Sequence, residues 1–130
     1  MADQKIVKEW LDKAEEDYQF AVCSLDGGSR FLPEICFHLQ QLAEKCLKTF
    51  IVAHGLDLRK IHNLPALLLE CAEKDGSLLD LKEDCVRLTD YYIEPRYPSA
   101  EGGEVTPEEA EEARRAAQNI RNEIRKRLGL

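Results

Sequence analysis

An all-α fold is what this sequence predicts: an up-and-down bundle of four to five helices forming a single domain over residues 1–130. Three observations carry that expectation. Apolar residues recur at spacings of three and four along several segments, which puts them on one face of a helix. No stretch of useful length shows the period-two alternation of a half-buried strand. Breakers such as Asp26-Gly27-Gly28-Ser29, Gly55 and Asp75-Gly76 separate the periodic segments.

The first helix is predicted from about Gln4 to Leu25, with Val7, Leu11, Ala14, Tyr18, Ala21 and Leu25 as its apolar stripe. The second begins near Pro33, since proline suits a first turn, and ends at Gly55, since glycine suits the position after a helix. Its stripe is Ile35, Leu39, Leu42, Cys46, Phe50 and Ala53, and Cys36, Ala43 and Leu47 form a second apolar row. An arc this broad predicts a central helix. The third is short, capped by Asn63, with Leu64, Leu67, Leu68 and Cys71 on its face. The fourth carries Leu78, Leu81, Cys85, Leu88 and Tyr92 and stops before Pro95, because the residue preceding a proline is pushed out of the helical region. A long loop, Ile93 to Val105, precedes the fifth helix. That helix opens on Thr106-Pro107-Glu108-Glu109, a capping box, and continues with Ala110, Ala113, Ala117, Ile120, Ile124 and Leu128. Short loops between the first four helices predict antiparallel neighbours.

Composition bounds the class. The chain has 130 residues, 44% hydrophobic and 33% charged, and a formal net charge of −7. That length suits one domain with one core, and that charge opposes a non-specific grip on nucleic acid. No apolar run approaches the roughly 18 residues of a membrane span, and the polar start Met1–Trp10 does not read as a signal peptide. A cytoplasmic protein with no membrane partner is the expectation. Cys23, Cys36, Cys46, Cys71 and Cys85 are odd in number and lack a C-x-x-C pair, so they read as small buried hydrophobes in a reducing compartment. Neither a metal site nor a cofactor is expected, because zinc-ligand spacings are missing. Residues 101–112 hold six glutamates and no base, whereas 114–127 hold six bases against Glu123. This polarity either complements the helix macrodipole or aims a basic end at an anionic partner.

Candidate ligand residues lie opposite the core stripe of the second helix. His38, Gln41, Lys45 and Lys48 share one face, and a ring nitrogen, an amide and two ammonium groups in line can hold a phosphate. Asp17 sits at the margin of the first helix's buried stripe, where a carboxylate needs a partner. His38 or Lys45 can supply it. His62 precedes the third helix, where a histidine supports the backbone or a neighbouring side chain. In the long loop, Arg96 offers a planar fork for phosphate and Tyr97 a ring for stacking on a base. Phosphate-loop, nucleophile-elbow, zinc-protease and dinucleotide motifs are all absent.

Several of these residues resemble one family. They are Trp10, Ala14, Asp17 and Ala21; the string Phe37-His38-Leu39-Gln40-Gln41-Leu42-Ala43-Glu44-Lys45-Cys46-Leu47-Lys48; His62-Asn63-Leu64; and Arg96-Tyr97-Pro98. Together they resemble a HEPN domain, from about Trp10 to Leu128. The resemblance implies a bundle of four or five helices that forms a homodimer and binds a nucleotide or RNA. It also implies pairing with a minimal nucleotidyltransferase in toxin–antitoxin fashion. Many HEPN proteins are metal-independent ribonucleases that use an arginine and a histidine separated by four to six residues. Here the matching positions after Arg96 are Glu101, Gly102 and Gly103, and those after Arg121 are Lys126, Arg127 and Leu128. With the motif incomplete, no catalytic residue is assigned and binding is expected rather than catalysis. The ligand residues are then His38, Gln41, Lys45, Lys48, Arg96 and Tyr97, supported by Asp17 and His62. Two alternatives stay open: a ribonuclease toxin in which His38 or His62 replaces the missing histidine, and a ligand-free assembly protein.

Overall fold

The structure, a computed structural model, describes residues 3–92 and 104–130. Within them the chain is an all-α bundle of five helices: α1 (Gln4–Asp26), α2 (Leu32–Ala53), α3 (Leu64–Ala72), α4 (Lys82–Thr89) and α5 (Pro107–Arg127). The long loop before α5, with Arg96 and Tyr97, lies almost wholly outside the described residues.

Helix α2 is the axle. It packs against each of the other four helices, and both of its apolar rows are buried, from Ile35 and Cys36 through Leu47 to Phe50 and Ile51. Leu39, Leu42, Phe50, Leu64, Leu67, Leu68, Leu78, Leu88 and Ile120 are the large side chains at its centre. On α5, alanines at 110, 113, 116 and 117 are buried, so its backbone lies close against α2 before Ile120 and Ile124 fill the far end. The capping box is formed in full. Thr106 Oγ1 accepts from Glu109 N at 3.1 Å, and Glu109 Oε1 accepts from Thr106 N at 3.1 Å.

Helix α1 forms an antiparallel hairpin with α2 and buries only Val7, Ala14, Asp17 and Ala21. Its other long-range ties are polar. Arg121 of α5 holds Glu15 in a fork, with Nη2 at 2.8 Å from Oε2, and lies over the Tyr18 ring at 4.1 Å. Burial alone pushes the Glu15 carboxyl up, but bonds from Arg121 and Gln19 and the charges of Arg121 and Arg125 bring it below its ordinary value. Arg114 bonds Asp26 at 2.8 Å, and Arg127 bonds Asp75 at 2.8 Å. Three of the six bases in 114–127 are thus engaged inside the chain.

Three expectations need correcting. The fourth helix is not continuous: a 3-10 turn (Gly76–Leu81) leads into α4, and another (Asp90–Tyr92) follows it. That end turn exposes Tyr92 and packs Tyr91 against the core instead. The α2–α3 connection is not short, because residues 54–63 run back along α2 until the His62 carbonyl accepts from Gln40 Nε2 at 3.2 Å. Lastly, Cys23 is exposed, whereas the other four cysteines are buried. Desolvation pushes the thiols of Cys36, Cys46, Cys71 and Cys85 up to about 12.

Candidate functional site

The polar row of α2 forms because the helix is apolar on the rest of its circumference. Its polar side chains are confined to one strip between α1 and the α2–α3 connection. There they divide between two buried carboxylates. Asp17, brought in by α1, accepts from His38 Nδ1 at 2.8 Å on one oxygen and from Lys45 Nζ at 2.6 Å on the other. Both partners expected for Asp17 therefore serve at once. An ionised carboxylate only accepts, so Nδ1 of His38 carries a proton and Nε2 is the nitrogen left for another partner. The ring is further fixed by Phe20 at 4.4 Å and Phe37 at 5.5 Å between centroids.

The second carboxylate is Glu44, which sequence reasoning did not single out. Its oxygens accept from Lys48 Nζ at 3.0 Å, from His62 Nδ1 at 3.0 and 3.1 Å, and from Gln40 Nε2 at 3.3 Å. Gln41 Nε2 donates to Gln40 Oε1 at 2.8 Å, so Gln41 leans toward this group. The His62 ring stacks on Tyr92 with centroids 4.0 Å apart and planes within 12°. A usable signal existed in the i,i+4 spacing of Gln40, Glu44 and Lys48, which places an amide, an acid and a base in one ladder.

Exposure separates the two groups. The Lys48 side chain is 8% exposed and Glu44 6%, so Lys48 is a buried partner of Glu44. Lys45 is 24% exposed and His38 36%, which leaves both in reach of solvent. Beside Lys45 lies a shallow groove of about 450 Å³ lined by Glu9, Trp10, Asp12, Lys13 and Lys45. The structure thus brings together Asp17, His38 and Lys45, and places Gln41, Lys48 and His62 around Glu44. Among the described residues, no group of three or more His, Cys, Asp or Glu side chains is placed to hold a metal ion. No helix among them is long and apolar enough to cross a membrane.

The resemblance carried by the α2 string extends through the whole bundle. The HEPN domain family matches residues 7–127, and the chain belongs to that family. It is 28% identical to a protein of Methanocaldococcus jannaschii named as a candidate toxin, over 89% of this chain and 84% of that one. Two crystal structures share the fold. One, an archaeal HEPN homologue, is 26% identical with a TM-score of 0.74, covering 93% of this chain and 96% of the other. The second, from Thermus thermophilus, is 30% identical with a TM-score of 0.77, covering 92% and 96%.

Proposed function

We propose that this chain is a HEPN module of a toxin–antitoxin-like pair. In this reading it binds the phosphate of a nucleotide or RNA, forms a homodimer, and works with a minimal nucleotidyltransferase. The observation that carries the binding part is the Asp17–His38–Lys45 cluster: two cationic or ionisable donors, partly exposed, held side by side by one buried carboxylate. The kinship with a candidate toxin supports the pairing part, as does the family resemblance. Arg96 and Tyr97, which lie outside the described residues, belong to the same proposal as a fork for phosphate and a ring for stacking on a base. Support for self-association comes from α1 and the start of α2, where Ile6, Phe20 and Phe31 are exposed. The cytoplasm is the proposed location, in keeping with the free thiols.

Calorimetry of the native protein with mononucleotides and a short RNA, alone and with its co-purified partner, tests the reading. Saturable binding that weakens by about 1–3 kcal/mol in Arg96→Ala is expected, the range for a lost charge-assisted hydrogen bond. Absence of nucleotide and RNA binding in every combination would remove it.

A second reading has one observation in its favour. The Asp17–His38 bond orients an imidazole as a general base is oriented in hydrolases. RNA cleavage that disappears in His38→Ala would establish a ribonuclease with a non-standard site. We expect no cleavage above background, with or without metal, since the arginine–histidine motif is incomplete.

A further inference from the structure

We propose that the Asp17–His38–Lys45 cluster is a proton-coupled anion site, which takes up a phosphate ester together with one proton carried by His38. This rests on the phosphate-binding reading above and adds what supplies the charge. The charge balance is local. Lys45 contributes one positive charge, but its ammonium sits 2.6 Å from Asp17, whose side chain is 9% exposed and contributes one negative charge. With the His38 ring neutral the cluster sums to zero, and the groove beside Lys45 adds Glu9 and Asp12 against Lys13, so an approaching phosphate meets no net attraction. Lys48 cannot make up the difference, because it is buried against Glu44.

Only the His38 ring can change that sum near neutral pH. From α1 the ring meets the Asp17 carboxylate and the Phe20 ring, and from α2 the Phe37 ring. Lys45 shares the carboxylate, and Glu34 lies one turn earlier on the same helix. Protonation at Nε2 turns the free nitrogen from an acceptor into a donor and leaves the cluster with one net positive charge. Nε2 of His38 and the remaining N–H groups of Lys45 can then hold two oxygens of one phosphate. Asp17 acts here as a positioning residue: it fixes both donors and does not touch the anion.

The coupling is thermodynamic. An anion that prefers the protonated ring raises proton uptake, and its apparent affinity falls by roughly tenfold per pH unit once the free ring has lost its proton. Calorimetry of the full chain tests this with probes that do not themselves titrate near neutrality: sulfate, and a dinucleotide with a single phosphodiester. A mononucleotide as a third arm separates a free nucleotide from an RNA backbone as the source of the phosphate. Titrations at about pH 6 and about pH 8, in buffers of different ionisation enthalpy, count the protons. We expect tighter binding at the lower pH, and uptake that approaches one proton per anion at the higher pH, where the free ring is neutral.

Two variants give opposite results. His38→Gln should bind at the lower pH as weakly as the wild type does at the higher, with no uptake. Asp17→Asn removes the cancelling charge from Lys45, so it should bind more tightly than the wild type at the higher pH. A purely structural Asp17 would give loss alone. Far-UV spectra check that Asp17→Asn folds, and His38→Gln decides the matter if it does not. His62→Gln should keep the uptake. Binding at the higher pH without proton uptake, or uptake that persists in His38→Gln, overturns the coupling and leaves phosphate binding standing. Failure of every probe to bind at either pH removes both.

Discussion

Lys48 shows at the residue scale how burial changes the meaning of a side chain. On a helical wheel it extends the row of His38, Gln41 and Lys45, yet its ammonium is inside and bonded to Glu44. Buried ion pairs are costly to break on one side, because the remaining charge keeps its desolvation cost without its partner. Lys48→Met should therefore lower stability by about 3–5 kcal/mol in urea unfolding. His62, bonded to the same carboxylate, offsets part of that loss when it is charged. The cysteines make a second residue-scale prediction. Four are buried with thiols pushed up to about 12, and Cys23 is exposed. Since the thiolate is the reactive form, a thiol reagent should label one cysteine per chain in the native protein and five after denaturation.

Helices begin and end where local chemistry dictates, so element-scale features were legible in the residues. Asn63 accepts from Ala66 N at 3.0 Å, and Thr106 and Glu109 cap α5 reciprocally, both as the motifs imply. Thr106→Ala should cost about 1 kcal/mol, the usual value of such a cap, read as a shift in thermal midpoint. The contact of α1 with α5 was not legible, because Glu15 and Arg121 are far apart in the chain and each looks like an ordinary surface charge. Glu15 sits below its ordinary value in the folded state. Its contribution is therefore present above the unfolded value and lost as pH falls through the folded one. The stability difference between wild type and Glu15→Gln should be largest near neutrality, about 1 kcal/mol or less after solvent screening, and should vanish in acid. A difference that grew on acidification would contradict that assignment.

Across the whole molecule, nearly all of the core stands on α2, while α1 is attached along one side. Leu39→Ala at the centre of α2 should cost about 2–5 kcal/mol, because a cavity there cannot collapse from any side. Ile6 and Phe20 on α1 and Phe31 just before α2 are exposed, and the proposed homodimer would cover such apolar side chains. Sedimentation at micromolar concentration should show twice the 14.9 kDa chain mass, and a purely monomeric species would remove that proposal.

By itself the sequence determined the course of α1, α2, α3 and α5, the caps of α3 and α5 and the central place of α2, because periodicity and capping act within a few residues of each other. It also offered His38 or Lys45 as the partner of Asp17, since a carboxylate at the edge of a buried stripe needs a donor, and the structure supplies both. Only the tertiary structure decided that the polar row divides between two carboxylates. That outcome depends on residues 54–63 running back along α2 to deliver His62 to Glu44. Which side chain is buried, and which charge is already cancelled, is set by elements distant in the chain. No local pattern carries that information.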